Sequence, residues 1–120
     1  MQELRQYEEE IKDKDRRKLY QNKLGAKKEE VDEIMEQVID YRKAGVKDDN
    51  IIIKAMQADE KSFGKERNSA QRVLLASIAS KVNGDEEKLE KQEERLAKRK
   101  FSEEDINKFS DAIRSMYDML

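Results

Sequence analysis

Val73-Leu74-Leu75-Ala76-Ser77-Ile78-Ala79-Ser80-Lys81-Val82 is the most apolar stretch of the chain, and its reading decides the fold. Its apolar residues recur at helical spacing, and the strict alternation of a half-buried strand is missing. Ala70, Ala76, Ser77, Ala79 and Ser80 are small, which lets a neighbouring helix approach closely. Gly64 precedes the stretch and Gly84 follows it.

Working outward, those two glycines belong to a set of four, at positions 25, 45, 64 and 84, in a chain with no proline. Glycine is the natural helix stop because it enters the left-handed conformation cheaply. Proline would break helices, and its absence alongside abundant Glu, Lys, Leu, Ala and Gln argues for helix almost throughout. The spacing predicts helices at 2–24, 27–44, 48–60, 66–83, 86–99 and 103–119.

These segments differ in how much they bury. The second carries Val31, Ile34, Met35, Val38, Ile39 and Tyr41, a wide apolar face typical of core packing. The third, with Ile51, Ile52, Ile53, Ala55 and Met56, is apolar on more than one side and is expected to be central. The fifth is nearly all charged, with Leu89 and Leu96 its only large apolar residues. In the last, Ser102 with Asp105 reads as an N-terminal cap, followed by the seam Ile106, Phe109, Ile113, Met116 and Leu120. The first has the thin stripe Leu4, Tyr7 and Ile11, interrupted by the polar run from Lys12 to Lys18.

The expectation is an all-α, compact bundle of five or six helices centred on the second, third, fourth and sixth, with a more exposed N-terminal helix. Residues 1–24 are read as an exposed or docking helix and residues 25–120 as the bundle domain. The length of 120 residues suits one such domain. With 45% charged residues against 36% hydrophobic, apolar positions must be well placed for a core to exist, and the helical registers meet that requirement.

One internal echo stands out. Lys43 to Ile51 and Lys98 to Ile106 each place a basic helix end, an apolar residue, an acidic cap and an isoleucine opening the next helix. Two hairpins using the same turn chemistry explain this more simply than a duplication.

The chemistry is sparse. There is no histidine and no cysteine, so the commonest general base, thiolate chemistry, disulfides and nitrogen–sulfur metal sites are all missing. Asp48-Asp49-Asn50 lacks the spacing and glycine of a calcium loop and reads as a helix start. Ser62 and Lys65 have the S-x-x-K spacing without its companion motifs, and Gly64-Lys65 lacks the rest of a phosphate loop. Catalytic residues, cofactors, metals and a small-molecule substrate are therefore not expected. No run of about 18 apolar residues or signal-peptide core occurs, which points to a cytoplasmic protein without membrane contact.

Two kinds of partner surface remain. Lys12, Arg16, Arg17, Lys23, Lys27 and Lys28 form a basic stretch suited to a nucleic-acid backbone, and Lys91, Arg95, Lys98, Arg99 and Lys100 offer a second patch. A helix-turn-helix reader fits poorly, because a frame on Gly45 puts Tyr41 where a small residue is needed and three isoleucines in the reading helix. The apolar candidates are Leu4, Tyr7 and Ile11 in the first helix and Phe109, Ile113, Met116 and Tyr117 in the last.

The leading expectation is a non-catalytic binding or adaptor protein acting through protein–protein contacts, with a homo-oligomer or another protein as partner. The alternative is a nucleic-acid-binding accessory protein using Lys12 to Lys28. A third is a small regulatory inhibitor presenting the acidic face from Asp85 to Glu94; the bias toward Lys, Ile, Asn and Glu is compatible with a bacterial or phage source.

Overall fold

A computed structural model describes residue 7, residue 9 and residues 11–117. Among these it holds six α-helices: α1 Lys14–Leu24, α2 Val31–Lys43, α3 Asp49–Phe63, α4 Ser69–Val82, α5 Glu86–Lys98 and α6 Glu103–Tyr117. No strand occurs among the described residues. The all-α bundle read from the sequence is the fold.

The helix starts are set by side-chain caps that satisfy otherwise orphaned amides. Asp13 interrupts the helix expected over 2–24: its carboxylate accepts from the amides of Asp15 at 3.0 Å and Arg16 at 3.2 Å and starts α1. Asp48 caps α3 through Asn50 N–H at 2.8 Å, and Asp85 caps α5 through Glu87 N–H at 2.9 Å. Ser102 Oγ accepts from Asp105 N–H at 3.1 Å, as its sequence pattern implied. Asn68 and Gln71 form a reciprocal box at 2.9 and 3.1 Å, which moves the start of α4 to Ser69 from the expected 66. The entrance to α2 has no such residue. Glu30 there turns back to accept from Lys27 N–H at 3.3 Å, and Lys28–Glu30 tighten into a 3₁₀ turn.

The echoed segments end their helices by the same device. Val46 N–H donates to Tyr41 O and Gly45 N–H to Arg42 O, each at 3.0 Å. Phe101 N–H donates to Leu96 O at 3.2 Å and Lys100 N–H to Ala97 O at 3.0 Å. Both are Schellman closures, with Gly45 at φ 96° and Lys100 at φ 67° in the left-handed position. Beyond the turn the likeness stops. The helix α5 packs along α6, whereas α2 packs on α1 and α4.

The core forms where α3 meets α6 and α4. Ile52 and Ala55 of α3, Leu75, Ala76, Ala79 and Val82 of α4, and Ile113 of α6 are fully enclosed. Phe109 joins the end of α3 to the α5–α6 turn, its ring centred 5.1 Å from Phe63 and 6.1 Å from Phe101. Such tilted and edge-on aromatic contacts add to the area they bury.

The exposed helices are the first and the fifth. Tyr20 is the one buried residue of α1, and Leu89 and Leu96 are the buried residues of α5. Tyr20 is nevertheless completely enclosed, and α1 packs on both α2 and α3. Residues 14–24 are thus joined to the bundle and do not stand off it as an arm. No described helix is long and apolar enough to cross a membrane.

Candidate partner-binding groove

Helix α4 is apolar around much of its circumference and needs cover on several sides. The neighbouring α5 supplies only two large apolar anchors, Leu89 and Leu96, because the rest of it is charged, polar or small. That mismatch leaves a groove of about 420 Å³ between the two helices. Its floor is Leu74 and Ile78 of α4 with Leu96 of α5, and Ser77 and Gln92 also line it. Leu74 is half-buried, so part of an apolar side chain faces the opening.

The rim is cationic. Lys81, Arg95, Lys98 and Arg99 line the groove, and no carboxylate does. All four are exposed, and among the described residues none is engaged in an ion pair or side-chain hydrogen bond. Four like charges gathered at one opening favour an incoming anion over a cation.

Two other clefts are less suited to a partner. The larger of the two, about 530 Å³, lies between the end of α1, the start of α2 and the end of α3. Its charges are largely satisfied internally: Asp59 by Arg67, Glu60 by Lys65 at 3.7 Å, and Arg72 through the Lys65 carbonyl at 2.7 Å. A smaller one of about 280 Å³ is bordered by Lys54, Lys61 and Ser115, with Ala58 and Met116 its apolar lining.

The structure redistributes the residues singled out in the sequence. Arg16 pairs with Asp49 at 3.3 Å, in a node where Asp49 also accepts from the Tyr20 hydroxyl at 2.7 Å and from the Arg42 guanidinium. Arg17 pairs with Asp32 at 2.5 Å and donates to the Ile11 carbonyl at 2.9 Å. Both arginines therefore hold α1 to the bundle. Lys12, Lys23, Lys27 and Lys28 stay exposed. The second patch is the part that builds a site, since Arg95, Lys98 and Arg99 form one wall of the groove.

Among the apolar candidates, Phe109, Ile113 and Met116 are core residues, because α6 lays that face on α3. They offer no surface to another protein, which corrects their reading as contact residues. Tyr117 is half-buried, and burial with the charge of Asp48 pushes its hydroxyl pKa up. Ile11 is half-buried against the core, and Tyr7 lies with its ring centre 5.7 Å from the Lys43 ammonium. Leu4 lies outside the described residues. On the acidic segment, Asp85 is spent as a cap and Glu86 accepts from Arg114 at 3.0 Å.

No group of three or more acidic, histidine or cysteine side chains that could hold a metal occurs among the described residues. Compared with protein families, curated proteins and solved structures, the chain matches none.

Proposed function

We propose that this is a non-catalytic, cytoplasmic binding protein that holds a segment of another protein in the groove between α4 and α5. The observation that carries this reading is the pairing of a partly open Leu74, seated on the buried Ile78 and Leu96, with four cations at the rim that make no ion pair among the described residues. Apolar anchors inside a charged border are the usual anatomy of a protein-recognition surface. The lack of histidine and cysteine favours binding over catalysis.

Site-specific photo-crosslinking tests it. A crosslinking residue at Ser77 should give a discrete protein adduct in cell extract that disappears with Leu74→Asp and survives nuclease. The absence of any adduct, or one destroyed by nuclease, would refute the reading.

A second reading, nucleic-acid backbone binding, draws on Lys12, Lys23, Lys27 and Lys28, which are exposed and without ion pairs among the described residues. It has to do without Arg16 and Arg17, which serve internal pairs. Its mark is affinity that collapses with salt and with Lys27→Glu/Lys28→Glu. Salt-independent or undetectable binding to duplex DNA and RNA would remove it.

A further inference from the structure

We infer that the occupant of the α4–α5 groove is an acidic amphipathic helix of a partner protein. This rests on reading the groove as a protein-binding surface and adds the chemistry of what fills it.

Charge comes first. Lys81, Arg95, Lys98 and Arg99 ring the groove without a lining carboxylate, so a basic or neutral segment would leave the repulsion among them in place. Carboxylates flanking an apolar stripe relieve it. Arginine adds the paired donors that match a carboxylate geometrically.

The floor then separates a helix from a phosphate backbone. Leu74, the part of the floor that stays open above the buried Ile78 and Leu96, gains nothing from phosphates, and a nucleic acid spanning the rim would leave it against water. An apolar stripe repeating every three or four residues covers it. Ser77, between Leu74 and Ile78, is small enough for a partner backbone to come close.

Size agrees. From Leu74 to Lys81 α4 advances about 10 Å at about 1.5 Å per residue, the length of two helical turns. A partner helix with apolar residues at i, i+3 or i+4, and i+7 matches that span.

A second copy of this chain fits less well. Its most acidic helices are α2 and α6, each with four carboxylates against two basic residues, and both already lay their apolar faces in the core, Met35 and Val38 from α2 and Ile113 and Met116 from α6.

The test is fluorescence anisotropy of the full chain with labelled peptides of about 12 residues, roughly three turns. One is a Leu/Glu amphipathic helix, the second carries Lys for every Glu, and the third keeps the composition of the first with its leucines scrambled off the stripe. A short DNA duplex completes the set. The acidic amphipathic peptide is expected to bind at least about tenfold more tightly than the other three. Arg95→Glu/Arg99→Glu and, separately, Leu74→Asp should each weaken it by about tenfold or more, with circular dichroism showing the fold retained.

Equal binding of the basic or scrambled peptide, tightest binding of DNA, or no peptide binding overturns the inference. If the protein adduct at Ser77 persists in any of those cases, only the inference fails. If the adduct is also missing, the reading of the groove fails with it.

Discussion

Arg67 reaches back across the turn after α3 and places Nη2 3.0 Å and Nε 3.4 Å from the two carboxylate oxygens of Asp59, a side chain only 3% exposed. The same guanidinium lies 4.1 Å over the ring of Phe63 and donates to the Gln71 carbonyl at 3.1 Å. One side chain therefore neutralises a buried charge, covers an aromatic ring and ties the start of α4 to the end of α3.

Removing Arg67 strands the Asp59 carboxylate in the interior. Arg67→Ala is expected to destabilise by about 3–5 kcal/mol in urea unfolding. The double variant Asp59→Asn/Arg67→Met should lose less, because no buried charge is left behind. A loss under about 1 kcal/mol for Arg67→Ala would show that the carboxylate finds water or another donor.

Asp49 joins three helices, through Tyr20 and Arg16 of α1 and Arg42 of α2. Tyr20→Phe should cost about 1.5–3 kcal/mol, the net value of a hydrogen bond to a charged group. Asp49→Ala should cost more, since it also leaves Arg42, only 9% exposed, without its carboxylate. A double-mutant cycle between Tyr20 and Asp49 is expected to give about 0.5–3 kcal/mol of coupling, and a value of zero would mean that the two act independently.

Two buried tyrosines make the fold sensitive to alkali. Burial, then the hydrogen bond to Asp49, raises the Tyr20 pKa; burial, then the charge of Asp59, raises that of Tyr41. A phenol whose folded pKa exceeds its unfolded value contributes stability that is complete below about pH 10 and is lost as pH rises above it. The decline should approach about 1.4 kcal/mol per pH unit for each such tyrosine. Among the described residues the Tyr41 hydroxyl meets no hydrogen-bond partner, so Tyr41→Phe should leave stability near pH 7 unchanged or raised while flattening the alkaline decline. An unaltered alkaline slope in urea titrations of Tyr41→Phe would contradict this.

Glycine is favoured in both Schellman turns, so putting it in at one and taking it out at the other should act with opposite sign. Lys100 holds φ 67° with a side chain attached, so Lys100→Gly should stabilise by about 0.5–1 kcal/mol, less the entropy glycine adds to the unfolded chain. Gly45→Ala should destabilise by about 1–2 kcal/mol although nothing lies within 4 Å of the added methyl group. Thermal melts of both variants check the pair, and shifts of the same sign would discount backbone strain as the cause.

The fold was legible wherever one segment carried its own signal. The apolar run of α4, the isoleucines of α3, the Ser102–Asp105 cap and the thin seam of α5 all act within a few residues. What escaped the reading depends on separate parts of the chain. Asp13 sits among charged helix formers, and only the turn it makes distinguishes it from Asp15. The Asn68–Gln71 box was a local signal that could have placed the start of α4. No spacing rule pairs Asp59 with Arg67 across a turn, and none pairs Arg16 with Asp49. In the groove, Arg95, Lys98 and Arg99 were visible as a basic run, whereas Leu74 and Lys81 join them only once α4 and α5 lie side by side.

The Phe63–Phe109 contact clasps α3 to α6, with α4 and α5 in the intervening chain. Amide protons in α3 and α6 are therefore expected to exchange more slowly than those of α5, which is held by Leu89 and Leu96. One wall of the groove is thus a lightly anchored part of the bundle. An occupant gripping both walls will slow hydrogen exchange along α5 and leave the clasped pair as it was, so that binding is written in the tempo of one helix and not in the shape of the whole.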